Sequence, residues 1–269
     1  RRLVYADGVQ LFGGQLEKPE LPGAQVVELG EGKSSVVQRD GRSYGSFEQR
    51  YAIFPEQSGV LTIPSDSVTA SVRVLDGIST SRKTVRVSTD EKRITVKPIP
   101  SEYPAENPWL PAIAVTAAQR FEPPLISDFE VGDTVTRRVN VRVIGNSGAS
   151  LPPLQLALPE DQFKTYPQPT EISDDTMGDN LVGMRVETQD IVPIVAGALG
   201  LPSTEIIWWN TDTESLMTTT LNRRALSAVG NAIPATVLTE PAAATIPQAD
   251  EPQLGGTVKA DNSLLNLGR

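Results

Sequence analysis

"AIFPEQSGVLTIP" (52–64) and "DIVPIVAGALGLP" (190–202) share one frame with no gap: apolar residue, proline, three residues, glycine, any residue, leucine, any residue, Ile or Leu, proline. Pro55, Gly59, Leu61 and Pro64 match Pro193, Gly197, Leu199 and Pro202 at a constant offset of 138. A proline ends a strand because it has no N–H for the ladder, and a glycine relaxes the turn that follows. The leucine and the apolar residue two positions on then face the same way along a second strand, until another proline stops it. Each copy reads as a hairpin, and two copies at one offset read as a duplicated domain.

Outward from these copies the pattern stays β. "AQVVEL", "RYAIFP", "VTASVRV", "KTVRV", "RITVKP", "TRRVNVRVI" and "STEIIWW" are short, rich in Val, Ile and Thr, and separated by Gly, Pro, Asp and Asn. Helical periodicity is missing. Most of the 22 prolines and 21 glycines fall between these stretches, where sandwich loops and edges need them. The expected fold is all-β, with two tandem immunoglobulin-like β-sandwich domains and a low-complexity C-terminal tail.

"KPIPSEYPAENPWLP" (97–111) carries five prolines between two β-rich regions and marks the boundary as a short, stiff connector. The divisions are a first β-sandwich over 1–98, a Pro-rich linker over 99–108, a second β-sandwich over 109–230 and an Ala/Pro/Thr-rich tail over 231–269. The tail composition is that of a linker or stalk. A chain of 269 residues suffices for two such domains without staples. It opens abruptly into β-rich sequence at Arg1 and carries no signal sequence, so it reads as a soluble piece of something longer.

Cysteine and histidine are both absent, which excludes disulfides, thiolate and imidazole chemistry and most zinc sites. The net charge of −9 is uneven: residues 1–100 carry 14 basic and 12 acidic side chains, the remainder 10 and 21. No basic stripe with interleaved aromatics is present, so nucleic acid is not an expected partner. No apolar run is long enough to span a bilayer as a helix.

Three short stretches resemble functional motifs. "GEGKSS" (30–35) has Val27 where a phosphate-binding loop needs its first glycine, and "SVVQRD" after it is no helix start, so it reads as a turn between strands. "GNSGAS" (145–150) lacks the spacing of a nucleophile elbow. "EISDDTMGDN" (171–180) gathers Glu171, Asp174, Asp175 and Asp179. It neither alternates its acids nor closes with a distant glutamate as a calcium loop does, and it reads as a solvated acidic loop with no metal of its own. A Ser-Lys pair or two carboxylates stays open, since sequence does not show which groups meet in space. No catalytic residue is assigned and no cofactor is expected.

"EIIWWNTDTE" (205–214) sets two tryptophans side by side, and a strand sends neighbours to opposite faces. The offset of 138 places Ile206, Trp208 and Asn210 on Val68, Ala70 and Val72, the inward set of "SVTASVRV". Trp208 is therefore the core residue and Trp209 the outward one. Trp209 packs on a loop or strand, or else offers an interdomain or partner surface.

Four stretches, taken together, resemble the BatD family of bacterial aerotolerance, or oxygen-tolerance, envelope proteins. They are "GQLEKPELPGAQVVELGEGK" (14–33) with "GRSYGSFEQRYAIFPEQSGVLTIP" (41–64), "NPWLPA" (107–112), "GDTVTRRVNVRVIGNSGASLPPLQL" (132–156), and "DIVPIVAGALGLPSTEIIWWNTDTE" (190–214). The resemblance implies a periplasmic scaffold of immunoglobulin-like domains, anchored in the inner membrane through a transmembrane helix that this chain does not include. It implies partners with von Willebrand factor A domains, an indirect link to a MoxR-type AAA+ ATPase, and a part in a stress response, with no catalytic residues to carry over. If a partner holds a metal-dependent adhesion site, Asp174, Asp175 or Asp179 is the first place to seek a ligand for its ion. A second possibility is a module that binds carbohydrate or peptidoglycan by stacking on Trp209.

Overall fold

The computed structural model describes residues 2–6, 10–13, 18–76 and 79–232. All of them belong to one compact unit. It is all-β with several sheets and has no α-helix among the described residues. No helix there is long and apolar enough to cross a membrane. The expected tail, from residue 233 onward, lies outside the described residues.

The first half holds β1 (Arg2–Ala6), β2 (Gln10–Gly13), β3 (Ala24–Glu28), β4 (Lys33–Arg39), β5 (Arg42–Glu48), β6 (Tyr51–Pro55), β7 (Gly59–Ile63), β8 (Ser67–Asp76), β9 (Ser79–Ser88) and β10 (Lys92–Val96). The second half holds β11 (Pro111–Ala112), β12 (Ala114–Glu122), β13 (Phe129–Glu130), β14 (Val135–Ile144), β15 (Phe163–Pro167), β16 (Glu171–Met177), β17 (Asn180–Pro193), β18 (Gly197–Leu201), β19 (Thr204–Asn210), β20 (Ser215–Leu221) and β21 (Arg224–Val229). Among the described residues a single 3-10 turn, Gly148–Ser150, interrupts the strands.

The second half is sandwich-like. One layer is β12-β14-β17-β15, with β16 also paired to β17; the other consists of β13-β21-β18 and β11-β19-β20. β14 shows why. Its valines at 135, 139, 141 and 143 fall on alternate positions and are fully buried. Val139, Val141 and Val143 pack with Leu110, Ile206, Trp208 and Leu221 in one cluster. Val135 packs with Phe129, Phe163, Ile191, Leu201 and Leu226 in another.

The two halves repeat in register. Arg2↔Glu48 and Ala6↔Tyr44 in β1–β5 become Asn140↔Val186 and Ile144↔Val182 in β14–β17, an offset of 138 on both strands. Arg39↔Arg42 at the β4–β5 turn becomes Met177↔Asn180 at the β16–β17 turn, again at 138. Gly59↔Val96 becomes Gly197↔Ala228, and Ser67↔Ser88 lies where Glu205↔Thr220 does, so the later strands are offset by 132. The hairpin β19–β20 is thus six residues shorter than β8–β9.

Two local expectations are corrected. The repeated Pro-Gly-Leu-Pro frame is a corner, not a hairpin: β6 pairs with β3 while β7 pairs with β10, and β17 pairs with β15 while β18 pairs with β21. Pro55 and Pro193 end the first strand of each corner. Gly59 at φ +119° and Gly197 at φ +127° open the next, a backbone region that only glycine adopts readily. Pro64 and Pro202 stand directly after β7 and β18. The acidic stretch 171–179 is not a loop: residues 171–177 form β16, and Gly178 at φ +63° with Asp179 makes the two-residue turn into β17.

Candidate functional site

The connector is built into the second half. Tyr103 is buried and its hydroxyl donates to Pro108 O at 2.6 Å, with Ile207 O at 3.2 Å. Burial pushes its phenol pKa up, against a smaller opposing effect of a backbone hydrogen bond at Leu110. Leu110 is fully buried in the first cluster, and its carbonyl accepts from Trp209 N at 2.9 Å. Pro111 and Ala112 then run parallel to Trp209 and Asn210.

The tryptophan pair divides as strand parity requires. Trp208 is 5% exposed and donates through Nε1 to Thr219 Oγ1 at 3.0 Å. Thr219 Oγ1 in turn donates to Val115 O at 2.9 Å, so one polar chain ties β19, β20 and β12 behind the indole. Trp209 lies on the other face, half-buried, with its ring centroid 6.3 Å from that of Trp109. Trp109 meets the Tyr103 ring edge-on at 4.8 Å and 82°. Leu216, opposite Trp209 in β20, stays exposed. Trp109, Trp209 and Leu216 thus make an aromatic and aliphatic face on the outside of β11-β19-β20, where Trp209 is a partly covered ring and not a free platform.

The four acids do not converge. Asp174 accepts from Ser147 Oγ at 2.9 Å and from Gly148 N at 2.7 Å, holding the turn that packs on β17. Asp175, on the opposite face of β16, accepts from the neighbouring Thr176 N. Glu171 takes both terminal nitrogens of Arg138, at 3.2 and 2.9 Å. Asp179, at the turn, pairs with Arg50 of the first half, and Lys97 pairs with Glu214. Arg50 has its pKa raised, first by its hydrogen bond to Glu48 and next by the charge of Asp179. Among the described residues no group of three or more acidic side chains is placed to hold a metal ion.

Arg137 escapes a reading of motifs. It sits on the inward parity of β14, 1% exposed, with Nε donating to Gln119 Oε1 at 3.0 Å and Nη2 buried without a partner. Burial lowers its pKa. The signal in "TRRVNVRVI" is positional: with valines at 135, 139, 141 and 143 inward, position 137 must be inward too. Set against known protein families, curated proteins and solved structures, the chain finds no match in any of the three.

Proposed function

We propose that the chain is a non-catalytic protein–protein interaction scaffold of a bacterial envelope complex, built from two immunoglobulin-like modules and akin to the BatD family. The single observation that carries a binding role is the Trp109–Trp209–Leu216 face. Two indoles and a leucine stand on the outside of a sheet whose inside already buries Trp208, and such rigid aromatic surface is what interface centres are made of. The connector hydrogen-bonded to β19 supports the same reading, because it holds that face firmly beside the junction of the two modules.

The working place is the periplasmic side of the inner membrane, the partners are envelope proteins with von Willebrand factor A domains, and the MoxR-type ATPase is reached through them. The acids 171–179 are a poor source for a partner's metal ligand, since Asp174, Asp179 and Glu171 are each engaged within the chain. The aromatic face is the better docking element. A photo-reactive residue at Leu216, and as a control at Asp175, tests this in intact cells. Capture of a von Willebrand factor A protein from position 216 and not from 175 is expected. Equal capture from both, or capture of cytoplasmic proteins alone, would sink the proposal.

A further inference from the structure

We infer that a cationic notch between the end of β12 and the start of β21 is a docking site for a short acidic peptide segment of a partner protein, one with an apolar side chain between its carboxylates.

The notch opens where the ties between β12 and its neighbour in the other layer stop. β12 is the end strand of its layer, laddered to β14. Thr219 Oγ1 donates to Val115 O, and Gln119 Nε2 donates to Asn222 O at 2.7 Å, so β20 and the turn after it hold the first part of β12. β20 ends at Leu221. Just beyond, residues 119–125 and residues 223–225 line one open cavity of about 760 Å³. Both walls lie in the interior of the sequence, and Gln119 is fixed between them, since its Oε1 also accepts from Arg137 Nε at 3.0 Å.

The charge of the notch runs against that of its surroundings. Residues 101–232 carry eight basic and 17 acidic side chains, and three of those eight, Arg120, Arg223 and Arg224, line this one cavity. Glu122 is the single acid with them. All three arginines are exposed, and among the described residues none is paired with a carboxylate. Elsewhere in the same half Arg138 is paired with Glu171 and Arg185 with Glu187. Unneutralised guanidiniums gathered in a cleft concentrate a positive field, and each can take a carboxylate through two N–H groups at once.

Apolar surface at the same place is a second, independent sign. Phe121, Pro124 and Leu125 line the cavity between the arginines. Ile126, the next residue, is 89% exposed, more than any other large apolar side chain among the described residues. Carboxylates on the arginines and an apolar side chain against Leu125 and Ile126 use both features. A nucleic acid or another long polyanion would run onto the acidic surface of a chain with net charge −9, whereas a short acidic segment touches the notch alone. A small free anion would leave the apolar wall unused. The inference rests on this notch and not on the Trp109–Trp209–Leu216 face, so either can fail without the other.

The probe is a dye-labelled peptide with glutamates on both sides of a central phenylalanine, titrated into the intact 269-residue chain. Saturable one-to-one binding is expected, weakening as salt is raised, and a matched peptide with glutamine for glutamate should bind at least about tenfold more weakly. Arg120→Glu combined with Arg224→Glu should weaken the acidic peptide by at least about tenfold, while Lys83→Glu, an equally exposed charge reversal in the first half, should leave it within about twofold. Ile126→Ser, at a position exposed enough to tolerate the change, should weaken the peptide about threefold and leave the glutamine peptide as it was. No saturable binding, or equal losses from the Arg120/Arg224 and Lys83 variants, would overturn the inference. Citrate binding as tightly as the peptide would assign the notch to a small anion and overturn it too. So would a loss of peptide binding in Leu216→Ser, which would place the peptide on the aromatic face.

Discussion

Leu226 and Ile94 hold the same place in the two halves, opposite Leu199 in one and Leu61 in the other, in the same antiparallel register. One is 1% exposed and the other 46%. Pairing and register of these matched strands are thus shared by the halves while the degree of packing is not. Backbone pairing specifies where residues stand, but the hydrophobic contribution at each place depends on what lies over it. In the second half Phe121, Leu125 and Phe129 pack in the cluster that encloses Leu226, while Ile94 in the first half lies exposed.

The comparison is tested most strongly by truncating the two matched residues. Leu226→Ala should cost about 2–5 kcal/mol, the usual range for a fully enclosed leucine, while Ile94→Ala should cost under about 1 kcal/mol. Denaturant unfolding of the two variants measures both. Equal losses would mean that the first half is as well enclosed as the second, and the contrast would fall. Next in size is Gly183→Ala. The counterpart at the offset of 138 is Gly45, yet in the second half the backbone of Ser147 and Gly148 lies directly against Gly183, where a Cβ would need to go. We expect a loss of about 3 kcal/mol, the upper part of the overpacking range, again from denaturant midpoints.

Asp174→Ala follows. Its counterpart is Val36, which is exposed, so the carboxylate is a feature of the second half alone. Without it Ser147 Oγ and Gly148 N lose their acceptor, and a loss of about 1–3 kcal/mol is expected. Amide exchange at Gly148 and Ala149 should rise in the same variant. If stability and exchange both stay at wild-type values, the turn is held by its contact with Gly183 and not by Asp174.

What was legible from residues alone follows the same division between pairing and packing. The duplication was readable because its corner needs proline and glycine at set spacing, and strand parity then put Trp208 inside and Trp209 outside. The corner was mistaken for a hairpin because Pro-x3-Gly specifies a change of direction but not which strand pairs next, and both β6 and β7 pair with strands distant in sequence. The acids 171–179 suggested a loop because four carboxylates outweighed alternation. In the folded chain Asp174 is satisfied by Ser147 and Gly148, a contact made across 26 and 27 residues of sequence. Nothing in the stretch itself signals that partner. The face at Trp109 was half legible: the outward ring followed from parity, its neighbour only from where the connector docks.

The smallest effect we predict has the opposite sign. Arg137 lies between the two apolar clusters of the second half, with one nitrogen bound to Gln119 and Nη2 buried alone. A buried cation with an incomplete shell carries a desolvation cost that a methionine of similar length does not. Arg137→Met should therefore raise stability by about 1 kcal/mol. Gln119 keeps its bond to Asn222 O at 2.7 Å and is itself half-exposed, so losing the guanidinium leaves no orphan there. The pKa of Arg137 is lowered in the folded state. For a base that sign means folding disfavours the charged form, and the penalty is in full force below the folded pKa and is relieved only as pH rises through it. Arginine stays charged far above neutrality, so the gain should be flat from about pH 5 to 8. A variant that loses stability, or whose gain varies across that range, would show that Nη2 has a partner in solution. The second half would then owe part of its order to a buried polar group, and the contrast with the first would rest on more than apolar cover.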